Sequence, residues 1–175
     1  GATTTLTVNA ATGNDILRVN GYDIGTITTT SFNGNDDNDL LIGGASANSF
    51  SISGSNAGTL NGAGRAFAEF ESLQGGAAAD SFAFASIAGT ISGTIDGVGA
   101  GNTLDYTAFG TGVTVNLATG AASNVFSAAV LGVSNFATIL GGSGNDILTG
   151  NASTASSLVG NAGGDTMAGG TAADT

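Results

Sequence analysis

Apolar residues along this chain come as singletons and short groups of Val, Ile, Leu and Phe among Ala, Gly, Ser, Thr and Asn. Stretches such as "SFAFAS" (81–86), "GTISGTI" (89–95) and "GVTVNL" (112–117) alternate with the period of two that a half-buried strand requires. Gly and Asn clusters separate them, so the pattern predicts many short strands joined by turns and no long helices.

A longer repeat lies over this alternation. "FESLQGGAAADSF" (70–82) and "FATILGGSGNDIL" (136–148) align at an offset of 66, and columns appear at one third of that step. The apolar columns are Phe82, Leu104, Phe126 and Leu148; Leu73, Ile95, Leu117 and Ile139; and Ile87, Phe109 and Leu131. Two polar columns keep the same step: Asp80, Asn102, Asn124 and Asp146, and Ser72, Thr94, Asn116 and Thr138. If about 22 residues make one turn, like residues stack at the strand spacing of about 4.8 Å, with apolar columns inside. The expectation is an all-β chain: a right-handed parallel β-helix (β-solenoid), with about 22 residues per coil and about eight coils. Such a rod is on the order of 40 Å long. Gly is expected to supply positive φ at the corners, and Asn side chains to hydrogen-bond along the axis. Toward the N-terminus the step wavers, since the intervals from Leu17 to Leu40 and from Leu40 to Leu60 are unequal. An inserted or shortened turn is expected there. A β-sandwich, which needs no constant step, is the structural competitor.

Composition sharpens this reading. Of 175 residues 31 are Gly, none is Pro, Cys or Trp, and 41% are hydrophobic, which is enough to build a core. Thirteen Asp and Glu face two cations, Arg18 and Arg65, giving a net charge of -11. That charge repels nucleic acid and anionic lipid and favours metal cations or plain solubility. No stretch approaches the length of a membrane span, so membrane insertion is not expected, and the opening "GATTTLTVNAATGND" lacks the regions of a signal peptide. With no His, Cys or Lys, serine and cysteine triads are excluded. Carboxylates, Tyr22, Tyr106 and the arginines remain: Arg65 beside Glu69 and Glu71, and Asp36 with Asp37. Neighbouring charges on a surface strand or loop tip explain both groups better than catalysis, and no enzyme is expected.

"GGSGNDILT" (141–149) resembles the glycine- and aspartate-rich nonapeptide of the RTX family of secreted bacterial proteins, fitting it at every specified position. It continues through "GNASTASSLV" (150–159), "GNAGGDTMA" (160–168) and "GGTAADT" (169–175), with earlier degenerate copies at 34–42, 43–51 and 75–83. The resemblance divides the chain into a parallel solenoid over 1–140 and nonapeptide coils over 141–175 that continue it. In that family the turns bind calcium through carboxylates and backbone carbonyls. The resemblance carries the metal role to Asp146, Asp165 and Asp174, with carbonyls of Gly142, Gly144 and Gly170. Asp146 and Asp165 are same-side neighbours only in a coil of about 19 residues. Asp15 and Asp80 are weaker candidates, and "GNDDND" (34–39) is either a cation site or a solvated loop tip. The alternative reading of all these turns is that Asp merely caps tight corners by accepting bonds from turn amides.

"NTLDYTAFGTGVTVNLATGAASN" (102–124) and "GVSNFATILGGSGNDILTG" (132–150) are similar to repeat units of bacterial surface proteins and giant adhesins. The resemblance implies an extracellular spacer, stalk or filament segment with optional calcium, whose partners are end-to-end copies of itself or further repeats of the same chain. The strand-like "TTTLTV" (3–8) is an ordinary first coil or a strand that augments a neighbour. Two other functions fit a β-helix: binding or degrading polysaccharide, and ordering ice on Thr-rich faces.

Overall fold

The computed structural model describes residues 4–19, 27–126 and 132–175. Among these residues every regular element is a strand, as Gly, Asn, Ser and Thr at short intervals dictate. The strands form three sheets. The largest runs in the order β1 (Thr4–Asn9), β3 (Ile27–Asn33), β7 (Arg65–Ala68), β6 (Ala57–Leu60), β5 (Ser49–Gly54), β9 (Ser81–Phe84), β11 (Thr103–Asp105), β15 (Thr138–Leu140) and β17 (Ser157–Val159). The second comprises β2 (Ile16–Arg18), β4 (Leu40–Ile42), β8 (Ser72–Gln74), β10 (Ile95–Asp96) and β14 (Val133–Ser134). The third is β13 (Ala121–Ala122), β12 (Thr114–Asn116), β16 (Ile147–Thr149) and β18 (Thr166–Ala168). Pairings among the described strands are parallel except those of β6 with β5 and β7, and of β13 with β12.

Stacking of like residues is real, but the step between them varies. On the second sheet Leu17, Leu41, Leu73, Ile95 and Val133 pair in file at sequence separations that change from one pair to the next. On the largest sheet the file is Phe50, Phe82, Leu104, Ile139 and Leu158. On the third it is Val115, Leu148 and Met167. Phe50 and Phe82 stack with ring centroids 4.6 Å apart, and Phe84 stacks on Tyr106 at 4.8 Å. Burying each such ring or aliphatic chain contributes about 1.5–3 kcal/mol.

The constant 22-residue period is therefore corrected. It holds between the coils of β8–β9 and β10–β11, where Leu73 meets Ile95, Phe82 meets Leu104 and Asp80 meets Asn102. Beyond Tyr106 the chain adds β12 and the β12–β13 hairpin before β14, so the next coil is longer. Phe126 consequently leaves its expected file and is 64% exposed, while Leu148 packs on Val115 in a different sheet. Ile139 stacks on Leu104, not beneath Leu117, and Ile87 is 66% exposed although Phe109 is buried. Leu131 lies outside the described residues. In the polar columns Asn124 bonds Ile87 and Gly89 carbonyls instead of Asn102, and Asn116 and Thr138 sit in separate sheets.

A second insertion marks the first half. "SFSISGSNAGTL" (49–60) forms the antiparallel hairpin β5–β6, which lies between β7 and β9 and carries the largest sheet across. The nonapeptide region is the regular part. There β15–β17 and β16–β18 pair at one common step, the same one that separates Asp146 from Asp165, and both sheets run on from β11 and β12 without a break.

Candidate metal centre

The corners that join the strands follow one rule. A Gly stands five positions before an Asp or Asn, and its bare Cα packs on that side chain. A Cβ at Gly75 would lie 2.2 Å from Asp80 Oδ2, at Gly141 2.2 Å from Asp146 Oδ2, and at Gly160 2.2 Å from Asp165 Oδ2. Gly169 with Asp174, Gly97 with Asn102 and Gly43 with Asn48 repeat the arrangement at 2.3, 2.3 and 2.6 Å. The turn side chain thus fills the space where a larger residue would have its own side chain.

Each turn carboxylate then ties its coil to the preceding one. Asp146, 1% exposed, accepts the Val113 N–H through Oδ1 at 2.8 Å and the Gly142 N–H through Oδ2 at 2.9 Å. Its own N–H donates to Asp165 Oδ1 at 3.0 Å. Asp80 repeats this: Oδ2 accepts the Gly76 N–H at 2.6 Å, Oδ1 accepts the Asn48 N–H at 2.6 Å, and its N–H donates to Asn102 Oδ1 at 2.8 Å. Asp174 Oδ1 accepts the Ser156 N–H at 2.8 Å. Hydrogen bonds to ionised acceptors are worth about 1.5–3 kcal/mol each, so the capping role of these aspartates is a structural fact of the stack.

Asn supplies most of the non-glycine left-handed corners. Asn35, Asn56, Asn61, Asn124, Asn135 and Asn161 have positive φ, as do Gly13, Gly62, Gly101, Gly120 and Gly163, whereas the Gly–Gly pairs at 75–76 and 141–142 do not. Asn tolerates the left-handed region because its short amide finds local partners. Asn161 Nδ2 donates to the Gly141 carbonyl at 2.7 Å, and Asn35 Nδ2 donates to the Ala10 carbonyl. The second glycine of each pair is needed instead for close approach: a Cβ at Gly142 would lie 2.2 Å from the Phe109 carbonyl oxygen. A Cβ at Gly144 would lie as close to the Gly112 nitrogen, and one at Gly170 would lie 1.9 Å from the Asn151 carbonyl oxygen.

The structure brings Asp146 and Asp165 together, on the 19-residue coil that the nonapeptide spacing required. Asp174 stands on the other side, beneath Ser156 of the longer, aspartate-free copy. The Gly144 carbonyl oxygen faces Gly163 of the next same-side turn, 2.2 Å from where a Cβ would stand. No group of three acidic side chains close enough to hold a metal occurs among the described residues, so any cation here would draw on backbone or amide oxygens as well.

A different turn stands out in the first half. The Asp15 N–H donates to Asp39 Oδ1 at 2.7 Å, and the Asp39 N–H donates to Glu71 Oε2 at 2.8 Å, so three carboxylates lie in file. Asp39 is 1% exposed. Yet Asp39 Oδ2, Asp15 Oδ2 and Asn33 Oδ1 are buried acceptors with no hydrogen-bond donor; a fourth such atom, Thr30 Oγ1, belongs to the core-facing side of β3. An unsatisfied buried acceptor costs about 1–3 kcal/mol, and more when charged. The cause is local. Where Asp146 has Gly142, Asp39 has Asn35, whose φ of 70° accompanies a side chain bonded to Ala10. Of the two readings of 34–39, the loop tip fits Asp36 and Asp37, which are exposed, but not Asp39, which is buried.

The groups considered for catalysis have structural partners. Glu71 Oε1 accepts from Asn56 Nδ2 at 2.9 Å while Oε2 takes the Asp39 amide. Arg65 Nη1 donates to the Asn61 carbonyl at 3.2 Å, and Asp37 Oδ2 accepts the Gly13 N–H at 2.9 Å. Tyr106 is buried, which pushes its hydroxyl well above its ordinary pKa, and donates to the Ser123 carbonyl at 2.7 Å. Tyr22 lies outside the described residues. Burial alone would push the Asp96 carboxyl up. Hydrogen bonds from Asn135, the Val98 amide, Ser134 and Gln74 outweigh it and hold the group below the usual carboxylate range.

Parallel strands stacked at glycine-aspartate corners, each carboxylate bridging two coils, define a nonapeptide repeat architecture. The model of the RTX calcium-binding nonapeptide repeat matches four copies, over residues 24–51, 132–154 and 156–175, and the chain carries RTX-like repeats there. No curated protein matches the chain. No solved structure matches it either.

Proposed function

We propose that the chain is an extracellular structural segment of a bacterial surface or secreted protein: a right-handed solenoid of about eight coils serving as spacer, stalk or filament unit. The observation that carries this reading is the set of coil-to-coil ladders of turn side chains and amides, which link Asp15, Asp39 and Glu71; Asn48, Asp80 and Asn102; Val113, Asp146 and Asp165; and Ser156 with Asp174. Such a ladder holds length along one axis, and the net charge of -11 keeps neighbouring rods apart.

Calcium is the cofactor of this reading. In the nonapeptide coils Asp146, Asp165 and Asp174 would hold it, with carbonyls of Gly142, Gly144 and Gly170. When bound, the ion adds a cross-link between successive turns and offsets carboxylate repulsion. The protein's own part is to set these oxygens by the Gly–Asp contacts and by the amide bonds that fix each carboxylate.

End-to-end association with a further coil, of the same chain or of a copy, is the partner reading. β17 and β18 each have one strand partner, and Met167, in file with Leu148, is 53% exposed. β1 at the other end has one neighbour, β3. Among the described residues no helix is long and apolar enough to cross a membrane.

Polysaccharide binding has less support. Open hollows of about 230 and 310 Å³ beside Asn48 and Asn61 are lined by small and polar residues, Val19 and Arg65, without an aromatic ring for a sugar to stack on. One observation favours ice binding as the second reading. Ser49, Ser81, Thr103, Thr138 and Ser157 stand in register along one sheet, although the Ser72, Thr94, Asn116 and Thr138 column does not exist as such.

Thermal melting in calcium and in chelator, with sizing by light scattering, tests the main reading. A calcium-dependent rise in Tm is the expected result. An unchanged melt removes the ion, and particles that stay monomeric at all concentrations remove end-to-end association with copies. Thermal hysteresis in the chain's solution would favour the hydroxyl ladder instead.

A further inference from the structure

The copy at 150–159 holds no aspartate, so its turn supplies no carboxylate to the calcium reading. It is also the one place in the chain with the sequence Asn-x-Ser/Thr, as Asn151-Ala152-Ser153. We propose that Asn151 is an acceptor for an N-linked sugar, its side-chain nitrogen taking a glycosyl group from a diphosphate-activated donor. The proposal goes beyond the calcium and spacer readings and needs neither.

Three observations carry it. First, the carboxamide and the serine are held together. Asn151 Oδ1 accepts the Ser153 N–H at 3.1 Å, closing a tight turn that brings Ser153 within one hydrogen bond of the acceptor amide. An amide nitrogen is a weak nucleophile, its lone pair shared with the carbonyl, so transfer needs the carboxamide and the hydroxyl two residues on presented to the enzyme as one unit. Second, the nitrogen is available. Asn151 Nδ2 has no hydrogen-bond partner among the described residues and is not a buried atom. At other turns the corresponding nitrogen is engaged: those of Asn35, Asn48, Asn102, Asn124 and Asn161 all donate to backbone carbonyls.

Third, the turn is open at its tip and fixed at its base. Ala152, Ser153, Thr154 and Ala155 are exposed, and none carries a charge or a bulky side chain that would shield the acceptor. The Asn151 N–H donates to Ser156 Oγ at 2.8 Å, and the Ala152 carbonyl accepts from Thr171 Oγ1 at 2.8 Å. Gly150 stands six positions before Ser156, where the other corners have five, and the added residue lengthens the exposed tip.

In the transfer step the bond from the donor's anomeric carbon to its phosphate oxygen breaks, and a bond from that carbon to Asn151 Nδ2 forms. The diphosphate leaves with the electron pair, and one Nδ2 proton passes to a base of the transferase. Nothing is oxidised or reduced.

The test offers the full folded chain two donors, each with its transferase: UDP-glucose with a soluble N-glycosyltransferase, and a lipid-diphosphate oligosaccharide with a membrane oligosaccharyltransferase. Intact mass and peptide fragmentation read the product. One glycan on Asn151 is expected, and the donor that works identifies the source. Asn151→Gln should take none. Ser153→Ala should lose the transfer and Ser153→Thr should keep it, although both preserve the turn, which uses the Ser153 backbone amide. Circular dichroism checks the folding of each variant, and the two Ser153 variants decide the matter if Asn151→Gln fails to fold. Transfer from neither donor, sugar on another asparagine with none on Asn151, or undiminished transfer in Ser153→Ala would overturn the proposal.

Discussion

The turn at 141–146 and the turn at 34–39 have similar sequences and opposite internal accounts. In the first, Gly–Gly precedes the aspartate by five and four positions, and both carboxylate oxygens of Asp146 receive amide protons. In the second, Gly34–Asn35 takes the place of the pair, Asn35 adopts φ 70°, and Asp39 Oδ2 is left buried without a donor. At the position four before the aspartate, Gly142 donates its amide to Asp146, whereas Asn35, at φ 70°, leaves Asp39 Oδ2 without a donor. The same two regions differ in regularity. After Thr138 the strand pairs Thr138–Ser157 and Ile147–Thr166 keep one constant step, while before it the pairs Leu73–Ile95 and Ile95–Val133 do not.

Substitutions can break this comparison. The largest effect is expected at the packed files. Phe82→Ala, between Phe50 and Leu104, should cost about 3–5 kcal/mol in urea unfolding, whereas Phe126→Ala should stay within about 0.5 kcal/mol. Equal losses would restore the file in which Phe126 follows Leu104. Next come the glycines. Gly142→Ala forces a methyl against the Phe109 carbonyl and should lose about 1–3 kcal/mol or more, but Gly110→Ala meets nothing within 4 Å and should be neutral or slightly stabilising. Asp146→Asn turns one acceptor into a donor facing an amide, with an expected loss of about 1–3 kcal/mol. A stability like that of the native chain would mean that the Val113 and Gly142 bonds contribute little.

The smallest effect concerns pH. The Asp96 carboxyl is held below its ordinary value, so its contribution is fully present above about pH 4 and fades as pH falls through the lowered value. Because the group is largely solvated, the contribution is at most a few tenths of a kcal/mol. Urea midpoints at about pH 5 and about pH 3, on either side of the ordinary carboxylate value, should differ more in the native chain than in Asp96→Asn. An identical pH dependence in the two would remove this bond network from the account.

Much of the architecture is legible in the chain. Period-two alternation, Gly–Asn punctuation and the repeat of apolar columns point to an all-β chain of stacked strands, and "GGSGNDILT" points to the corner chemistry. The 22-residue step belongs to coils 72–84 and 94–106, where it holds, and fails when carried past Tyr106. Extra residues outside a stack cost little loop entropy, so coil lengths drift while the files persist, and a fixed offset cannot follow them. The hairpin at 49–60 has a signal in the turn residues "GSN" between two alternating runs, which a search for parallel repeats passes over. Asn at left-handed corners is likewise hidden, since Gly is the residue first expected there. The unmet oxygens at Asp15 and Asp39 are beyond sequence, because they depend on which amides the neighbouring coil supplies.

Residue-resolved amide hydrogen exchange, with calcium and with chelator, tests most directly whether turn carboxylates fasten one coil to the next and calcium reinforces them. The Asp15, Asp39, Asn48, Asp80, Val113, Asp146 and Ser156 amides should be protected in either condition. Added calcium should slow exchange further around 141–146 and 160–174, and leave 72–105 unchanged. Fast exchange at those seven amides, or calcium protection spread evenly along the chain, would contradict the account.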